Sequence, residues 1–223
     1  MPYKAIRKNP SAPQVAPHII AALHDIPVAA LSDNMHRNIG SVGLQPYHRP
    51  GHKTMAGTAV TVKTRGGDNL TPMRAFEFCR PGDVLVIDAG GDVTNAVIGG
   101  ILSFYAATIG TVGLVLDGAV RDVAEIRERD YPVYARGVNH RGPYKDGPGE
   151  INVPVSVGGM IVNPGDIVVG DQDGLMAFSP DEAELLIEKA RAHLETEART
   201  IAAMKEGRWD RSFLDALEAR CAN

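Results

Sequence analysis

The chain is poor in cysteine, has no excess of positive charge and lacks a long uninterrupted apolar run, and each shortage removes a class of protein. Cys79 and Cys221 are its only cysteines in 223 residues. Two thiols so far apart make no disulfide framework, so both are expected to be reduced and the cytoplasm is the expected compartment. Lys and Arg number 23 against 27 Asp and Glu, giving a net charge of −4. The positive field that nucleic acid requires is missing, and no nucleic-acid partner is expected. The most apolar stretch, residues 96–116, is diluted by Gly99, Gly100, Gly110 and Gly113 and runs straight into Asp117, so no membrane span is expected. The basic N-terminus meets Asn9-Pro10 and Pro13 instead of an apolar signal core. No Walker loop, zinc-finger spacing, His-Glu-x-x-His or Gly-x-Ser-x-Gly occurs, which leaves phosphate-loop enzymes, zinc proteases and serine esterases of those types without their signatures.

What is present describes a folded chain. Hydrophobic residues make up 44% and charged residues 22%, which excludes disorder and collagen-like structure. One unit over residues 1–223 is expected, with a helical lead-in over about 1–40 and C-terminal helices over about 180–221. Ile19, Ile20, Leu23 and Ile26 recur at helical spacing, predicting a helix over 17–26, and a second short helix is predicted over 28–35. Residues 57–64 alternate as a half-buried strand that breaks at Gly66-Gly67-Asp68-Asn69, and 71–78 read as a short helix. Pro81-Gly82-Asp83 and Pro164-Gly165-Asp166 each launch an apolar strand, a repeat of turn chemistry rather than of sequence, because the flanks differ. Between them come a Gly-rich loop, a small-residue helix starting near Gly99-Gly100, a buried strand over 113–116 ending at an Asp117-Gly118 turn, a charged helix over 123–129 and a strand over 132–138. Short strands follow over 152–179. Ser179, Pro180 and Glu182 form a capping box for a helix reaching about Lys205, with an apolar stripe of Leu185, Leu186, Ala190, Leu194, Ala198 and Ile201.

Several candidate groups have ordinary explanations. His48 and His52 are four apart, but Pro50-Gly51 intervenes, so a solvated loop is the stronger reading than metal ligation. Cys79 has no local histidine and reads as a buried inert thiol. Most of the run Glu125 to Asp130 reads as a solvated helix face. Arg136, His140 and Arg141 read as solvated, with recognition of a distal carboxylate as their alternative role.

Arg121-Asp122, with Glu125 one helical turn on, falls where a strand end delivers side chains into a crevice, beside the helix start at Gly99-Gly100. Two readings are open on these residues alone. In one, the carboxylates attract a hard cation while the guanidinium and backbone amides bind a small anionic oxo acid. In the other, an arginine–carboxylate pair ties down a loop.

Gly99-Gly100-Ile101-Leu102, twenty residues, and then Arg121-Asp122-x-x-Glu125 resembles the family of 4-hydroxy-4-methyl-2-oxoglutarate aldolases and the RraA-type regulators of ribonuclease E. Gly67-Asp68-Asn69 and the stretch Val162 to Gly174 are similar as well, so the resemblance spans about Leu31 to the C-terminal helix. It implies an α/β fold, a three-layer β/β/α sandwich of the swivelling-domain type, assembled as a homotrimer or homohexamer with sites at subunit interfaces. It implies Mg²⁺ or Mn²⁺ held by Asp122 with Glu125, Arg121 on the carboxylate or keto oxygen of a 2-keto acid, Gly99, Gly100, Ile101 and Leu102 as amide donors, and Asn69 at the pocket edge. Some members carry an aspartate where Gly100 stands, and Glu125 is similar to the acid that others use in its place. A neighbouring subunit is expected to add an acid, Glu195 or Glu197.

The activity implied is a divalent-metal-dependent lyase acting on 4-hydroxy-4-methyl-2-oxoglutarate or 4-carboxy-4-hydroxy-2-oxoadipate, with oxaloacetate decarboxylation through the same pyruvate enolate. Charge developing on the former keto oxygen would be stabilised by the cation and Arg121, and the C4 hydroxyl proton would pass to a water polarised by Asp122 and Glu125. No lysine sits in the motif for imine chemistry, Lys63 in the preceding strand being the one alternative. The other class of function is a non-catalytic regulator that binds ribonuclease E or another protein.

Overall fold

The computed structural model describes residues 6–35, 37, 40–51 and 53–221, and His52 lies outside them. Its strands and helices in chain order are β1 (Ile6–Lys8), α1 (Pro17–Leu23), α2 (Val28–Asp33), β2 (Gln45–Pro46), β3 (Met55–Thr64), α3 (Leu70–Ala75), β4 (Asp83–Asp88), β5 (Ala96–Ile98), α4 (Gly100–Thr108), β6 (Gly113–Val120) and α5 (Val123–Glu128). There follow β7 (Val133–Val138), β8 (Gly149–Ile151), β9 (Val155–Val157), β10 (Met160–Val162), β11 (Ile167–Gly170), β12 (Leu175–Phe178), α6 (Ala183–Lys205) and α7 (Phe213–Cys221).

The large sheet runs β1-β8-β3-β4-β6-β7-β2, and its centre, β3 to β7, is parallel. Parallel strands are covered on both faces, which is why these segments read as almost continuous apolar runs. Side chains still alternate between two cores. Leu85, Ile87, Leu114 and Leu116 pack with Phe76, Ala106 and Ile126 of the helical layer, whereas Val84, Val86 and Val115 pack with Val155, Val157, Met160 and Val162 of the small β9–β10 sheet. A third core joins α1, α2 and α6 to β11 and β12 through Leu23, Leu31, Ile167, Met176, Leu186 and Ala190. The architecture is therefore α/β, with one large mixed sheet between helices and a second β layer.

The two Pro-Gly-Asp turns share one geometry. Gly82 and Gly165 take φ of +91° and +92°, and Asp83 Oδ2 and Asp166 Oδ2 each accept a backbone N–H three residues back, from Arg80 and Asn163, at 2.7 Å. A left-handed glycine followed by a carboxylate that closes the turn is what the repeat encodes.

Other expectations need correction. Asp117-Gly118 is no turn: β6 continues to Val120 because Ala119 and Val120 pair with β5 on one side and with β7 on the other, across a register shift after Leu116. β5 itself lies in the stretch read as a Gly-rich loop. β1, in the lead-in, pairs in parallel with β8. The first two helices end at Leu23 and Asp33, short of the predicted limits, and the helix predicted over 71–78 is α3 followed by a 3₁₀ turn over Phe76–Phe78. The capping box fails because the first turn after Ser179 is 3₁₀: Ser179 Oγ accepts from Asp181 N at 3.3 Å. Of the α6 stripe, Leu186 and Ala190 are buried, whereas Leu185 and Ile201 are exposed. His48 is buried rather than solvated, with its Nδ1 at the Val133 backbone and its ring edge-on to Tyr134 at 5.0 Å.

Cys79 follows the inert reading. Burial first, and then the Asp83 carboxylate, push its thiol up to about 12, so the nucleophilic thiolate is scarce near neutrality. A maleimide added to the folded chain at pH 7 is expected to label the exposed Cys221 alone, and both cysteines after denaturation. Labelling of both before denaturation would contradict the packing around Cys79.

Candidate active site

Arg121 and Asp122 occupy the junction between β6 and α5. Arg121 N donates to Ile98 O at 3.0 Å, which ties the junction to the end of β5 and brings it beside the first turn of α4. Asp122 then takes a left-handed conformation, φ 59° and ψ 39°. For an L residue this costs roughly 1 kcal/mol, and aspartate tolerates it better than most. The twist turns its carboxylate back onto α4, where Oδ2 accepts from Gly100 N at 2.9 Å and lies 3.7 Å from Arg121 Nε.

The glycines make this approach sterically possible. A Cβ on Gly99 would come within 2.6 Å of Asp122 Oδ2 and 3.0 Å of Arg121 Cγ, and one on Gly100 would collide with Glu125 Oε2. Asp122 and Glu125 therefore converge on Gly100, as their spacing requires. They are not equivalent: Asp122 lines a cavity of about 390 Å³, while Glu125 does not line it and pairs with Arg129 at 3.1 Å.

The cavity is walled by the first turn of α4, by β5, by Asn69 and Met73, and by Gly142, Pro143 and Lys145 of a long loop. Because the Gly100 amide is committed to Asp122, the first-turn donors facing a ligand are those of Ile101 and Leu102, which have no intrahelical acceptor. Asn69 is 5% exposed, and its Oδ1 has no hydrogen-bond partner. A buried acceptor without a donor is costly, and it belongs to a residue that lines the cavity. Arg121, Asp122, Asn69, Gly99, Ile101 and Leu102, all proposed from sequence, line this cavity together; Gly100, whose amide is spent on Asp122, and Glu125, Glu195 and Glu197 do not line it within the single chain.

Three contributors escaped the sequence reading. Asp68 is fully buried and holds two walls together: Oδ1 accepts from Leu70 N at 3.0 Å, and Oδ2 from Asp146 N at 2.7 Å, Gly147 N at 3.0 Å and Arg65 at 3.2 Å. Lys145 reaches the cavity on the loop that Asp68 pins. It is exposed, without the apolar burial that activates an imine-forming lysine, and Lys63 lines a different depression with Arg7 and Arg65. Arg129, within the run read as a solvated face, bonds both Glu125 and Gly100. Gly67-Asp68-Asn69 belongs to the resemblance, but nothing local to Asp68 shows its bonds to Asp146 N and Gly147 N, and no local signal marks Lys145. Arg136 is a correction too: it is bound to the buried Asp117, whose hydrogen bond raises the guanidinium further above its usual range, and it lines a separate depression with Asp88.

The residues fit a hard divalent ion better than a soft one. Among the described residues no group of three or more His, Cys, Asp or Glu gathers for metal binding. Asp122, 40% exposed at the cavity, and Glu125 can supply at most two carboxylates, the donor set of an ion that keeps several of its waters. Zinc held by nitrogen and sulfur would need a different set. Among the described residues no helix is long and apolar enough to cross a membrane.

The family model RraA-like (Aldolase/RraA) matches residues 28–177. A Halalkalibacterium halodurans protein, provisionally named 4-hydroxy-4-methyl-2-oxoglutarate aldolase, is 35% identical over 201 residues, covering 89% of this chain and 94% of its own. An uncharacterized protein from Pseudomonas syringae pv. tomato has a similar structure, with TM-score 0.78 and 26% identity over 87% of this chain and 92% of that one. RraAS2 from Streptomyces coelicolor, described as an unusual member of the RNase ES inhibitor RraA family, superposes with TM-score 0.76 and 26% identity over 84% and 97% of the two chains.

Proposed function

Because the chain belongs to the RraA-like family and sets Arg121 and Asp122 against a helix start across one cavity, we propose that it is a metal-dependent lyase. It cleaves a carbon–carbon bond beside a 2-keto acid and releases pyruvate. The substrates are 4-hydroxy-2-oxo acids of the 4-hydroxy-4-methyl-2-oxoglutarate or 4-carboxy-4-hydroxy-2-oxoadipate type, and oxaloacetate is decarboxylated at the same site. The carrying observation is the left-handed Asp122, held against the Gly100 amide beside the Arg121 guanidinium.

Asp122, with Glu125 behind it, would hold Mg²⁺ or Mn²⁺. When bound, such an ion supplies Lewis-acid stabilisation of negative charge developing on the keto oxygen. The Ile101 and Leu102 amides bind the pyruvyl carboxylate at the positive end of α4. Arg121 donates to the keto oxygen, and its fixed charge counts most as that oxygen becomes an enolate. The C4 hydroxyl proton would pass to a water polarised by the Asp122 and Glu125 carboxylates and return to C3 of the enolate, with Asn69 at the pocket edge beside it. Lys145 offers its ammonium to the second carboxylate that all three substrates carry. Ile101, Phe104 and Tyr105 form an exposed apolar face on α4 beside the site, and burial of that face between copies fits a homotrimer or homohexamer to which Glu195 or Glu197 of a neighbour adds an acid.

The test couples pyruvate to lactate dehydrogenase. With Mg²⁺ and either 4-hydroxy-4-methyl-2-oxoglutarate or oxaloacetate, NADH oxidation is expected above the rate without protein; EDTA removes it and added Mg²⁺ or Mn²⁺ restores it. A rate equal to the protein-free control with every substrate would leave the second reading, a protein-binding regulator without catalysis, which the likeness to the Streptomyces protein favours.

A further inference from the structure

We propose that Arg129 is a positioning residue that fixes the Glu125 carboxylate against Gly100; its catalytic consequence rests on the lyase reading above. An isolated i,i+4 Glu–Arg pair at the end of a short helix is ordinarily a surface ornament that contributes little. This one has a different geometry. Arg129 NH2 donates to Glu125 Oε2 at 3.1 Å while NH1 donates to Gly100 O at 2.6 Å, so a single planar group bridges α5 to the first turn of α4. The guanidinium carbon lies 5.1 Å from the Phe104 ring centroid, one turn further along α4, which adds a third restraint.

Three fixed contacts leave the guanidinium one orientation, and that orientation determines where Glu125 points. Its Oε2 occupies the space that a side chain on residue 100 would need. Gly100 leaves the place open and Arg129 holds the acid in it. Asp122 approaches the same glycine through its amide, so Arg129 and Asp122 grip Gly100 by its carbonyl and its N–H respectively. Lysine cannot reproduce this, because one ammonium lacks the planar fork that serves both acceptors in fixed geometry.

Four proteins test the link: wild type, Arg129→Met, Glu125→Gln and the double variant, with Arg129→Lys as a conservative control. Arg129→Met is expected to lower kcat for pyruvate release at least tenfold with KM within twofold, since Arg129 does not line the cavity. Arg129→Lys is expected to recover part of that loss. In the Glu125→Gln background, Arg129→Met should lower kcat by less than twofold more, because the group it positions is already disabled. An unchanged kcat in Arg129→Met, or an equal loss in both backgrounds, would overturn the proposal and leave Arg129 a brace for Gly100 alone. Should Arg129→Met fail to fold, Arg129→Lys carries the same comparison. A crystal structure of the variant reads the link without substrate: the Glu125 carboxylate leaves Gly100 if Arg129 holds it and stays if it does not, the second result again overturning the proposal. Absence of pyruvate release by the wild type would count against the lyase reading, and the crystallographic test would still decide the positioning.

Discussion

Arg121→Ala and Asp122→Ala are each expected to lower kcat/KM for pyruvate release by roughly 10²–10³-fold, about 3–4 kcal/mol of lost transition-state stabilisation, the scale measured when one preorganised oxyanion donor is removed. The two losses have different origins. Arg121→Ala would delete the charge proposed to face the developing enolate and should leave β6 and α5 intact. Asp122→Ala would remove the carboxylate proposed to hold the cation and also releases the Gly100 amide. Asp122→Asn separates these effects: its amide oxygen can still accept from Gly100 N, so the junction is preserved while the negative charge is lost. Activity in Asp122→Asn should therefore fall nearly as far as in Asp122→Ala, with a melting temperature close to wild type. Turnover within threefold of wild type in either alanine variant would remove these residues from the site.

The second large effect is on stability. Asp68→Ala withdraws one buried carboxylate from three backbone N–H groups and a guanidinium. Unsatisfied buried donors cost about 1–3 kcal/mol each, reduced where water enters on the half-exposed Arg65 side, so the chain is expected to lose about 3–5 kcal/mol. At about 2–4 °C per kcal/mol for a protein of this size, that is a fall of roughly 6–20 °C in Tm. Pyruvate release should disappear along with it, because the same carboxylate fixes Leu70, next to Asn69, from one side and the Lys145 loop from the other. Asp146→Ala is the control: that exposed side chain lies 3.7 Å from Arg65, and its loss should be worth under ~0.5 kcal/mol. Matching thermal melts for Asp68→Ala and wild type would refute this account.

What could be read from the sequence was whatever depends on near neighbours. The Pro-Gly-Asp turns and the placing of Arg121-Asp122 at a strand end are short-range patterns, and the structure follows them, whereas the strand read as half-buried, β3, is buried on both faces except at Lys63, because helices cover one side and the second β layer the other. The family resemblance reached further, to the α/β sandwich that the structural neighbours share. Asp117 was misread because a charged residue followed by glycine imitates a turn; only its partners, Arg136 and the Gly158 amide at 2.7 Å, explain how a carboxylate sits inside a central strand. His48 failed in the same way, its solvation inferred from Pro50-Gly51 although Tyr134, far along the chain, covers it. Arg129 looked like a surface charge because periodicity reveals the partner on its own helix and not the carbonyl on the next. Asp68 bonds residues 78 and 79 positions away.

The backbone twist at Asp122 has an implication for how the protein can change over time. Glycine would relax that torsion but would give up the bond to the Gly100 amide, whereas asparagine tolerates the twist and keeps an acceptor there. A descendant relieved of its chemistry could therefore exchange the acid for its amide while keeping every layer of the sandwich. In a lineage whose members have diverged in their tasks, the charge of one residue would then be an early casualty of lost catalysis, well before the outline of the molecule altered.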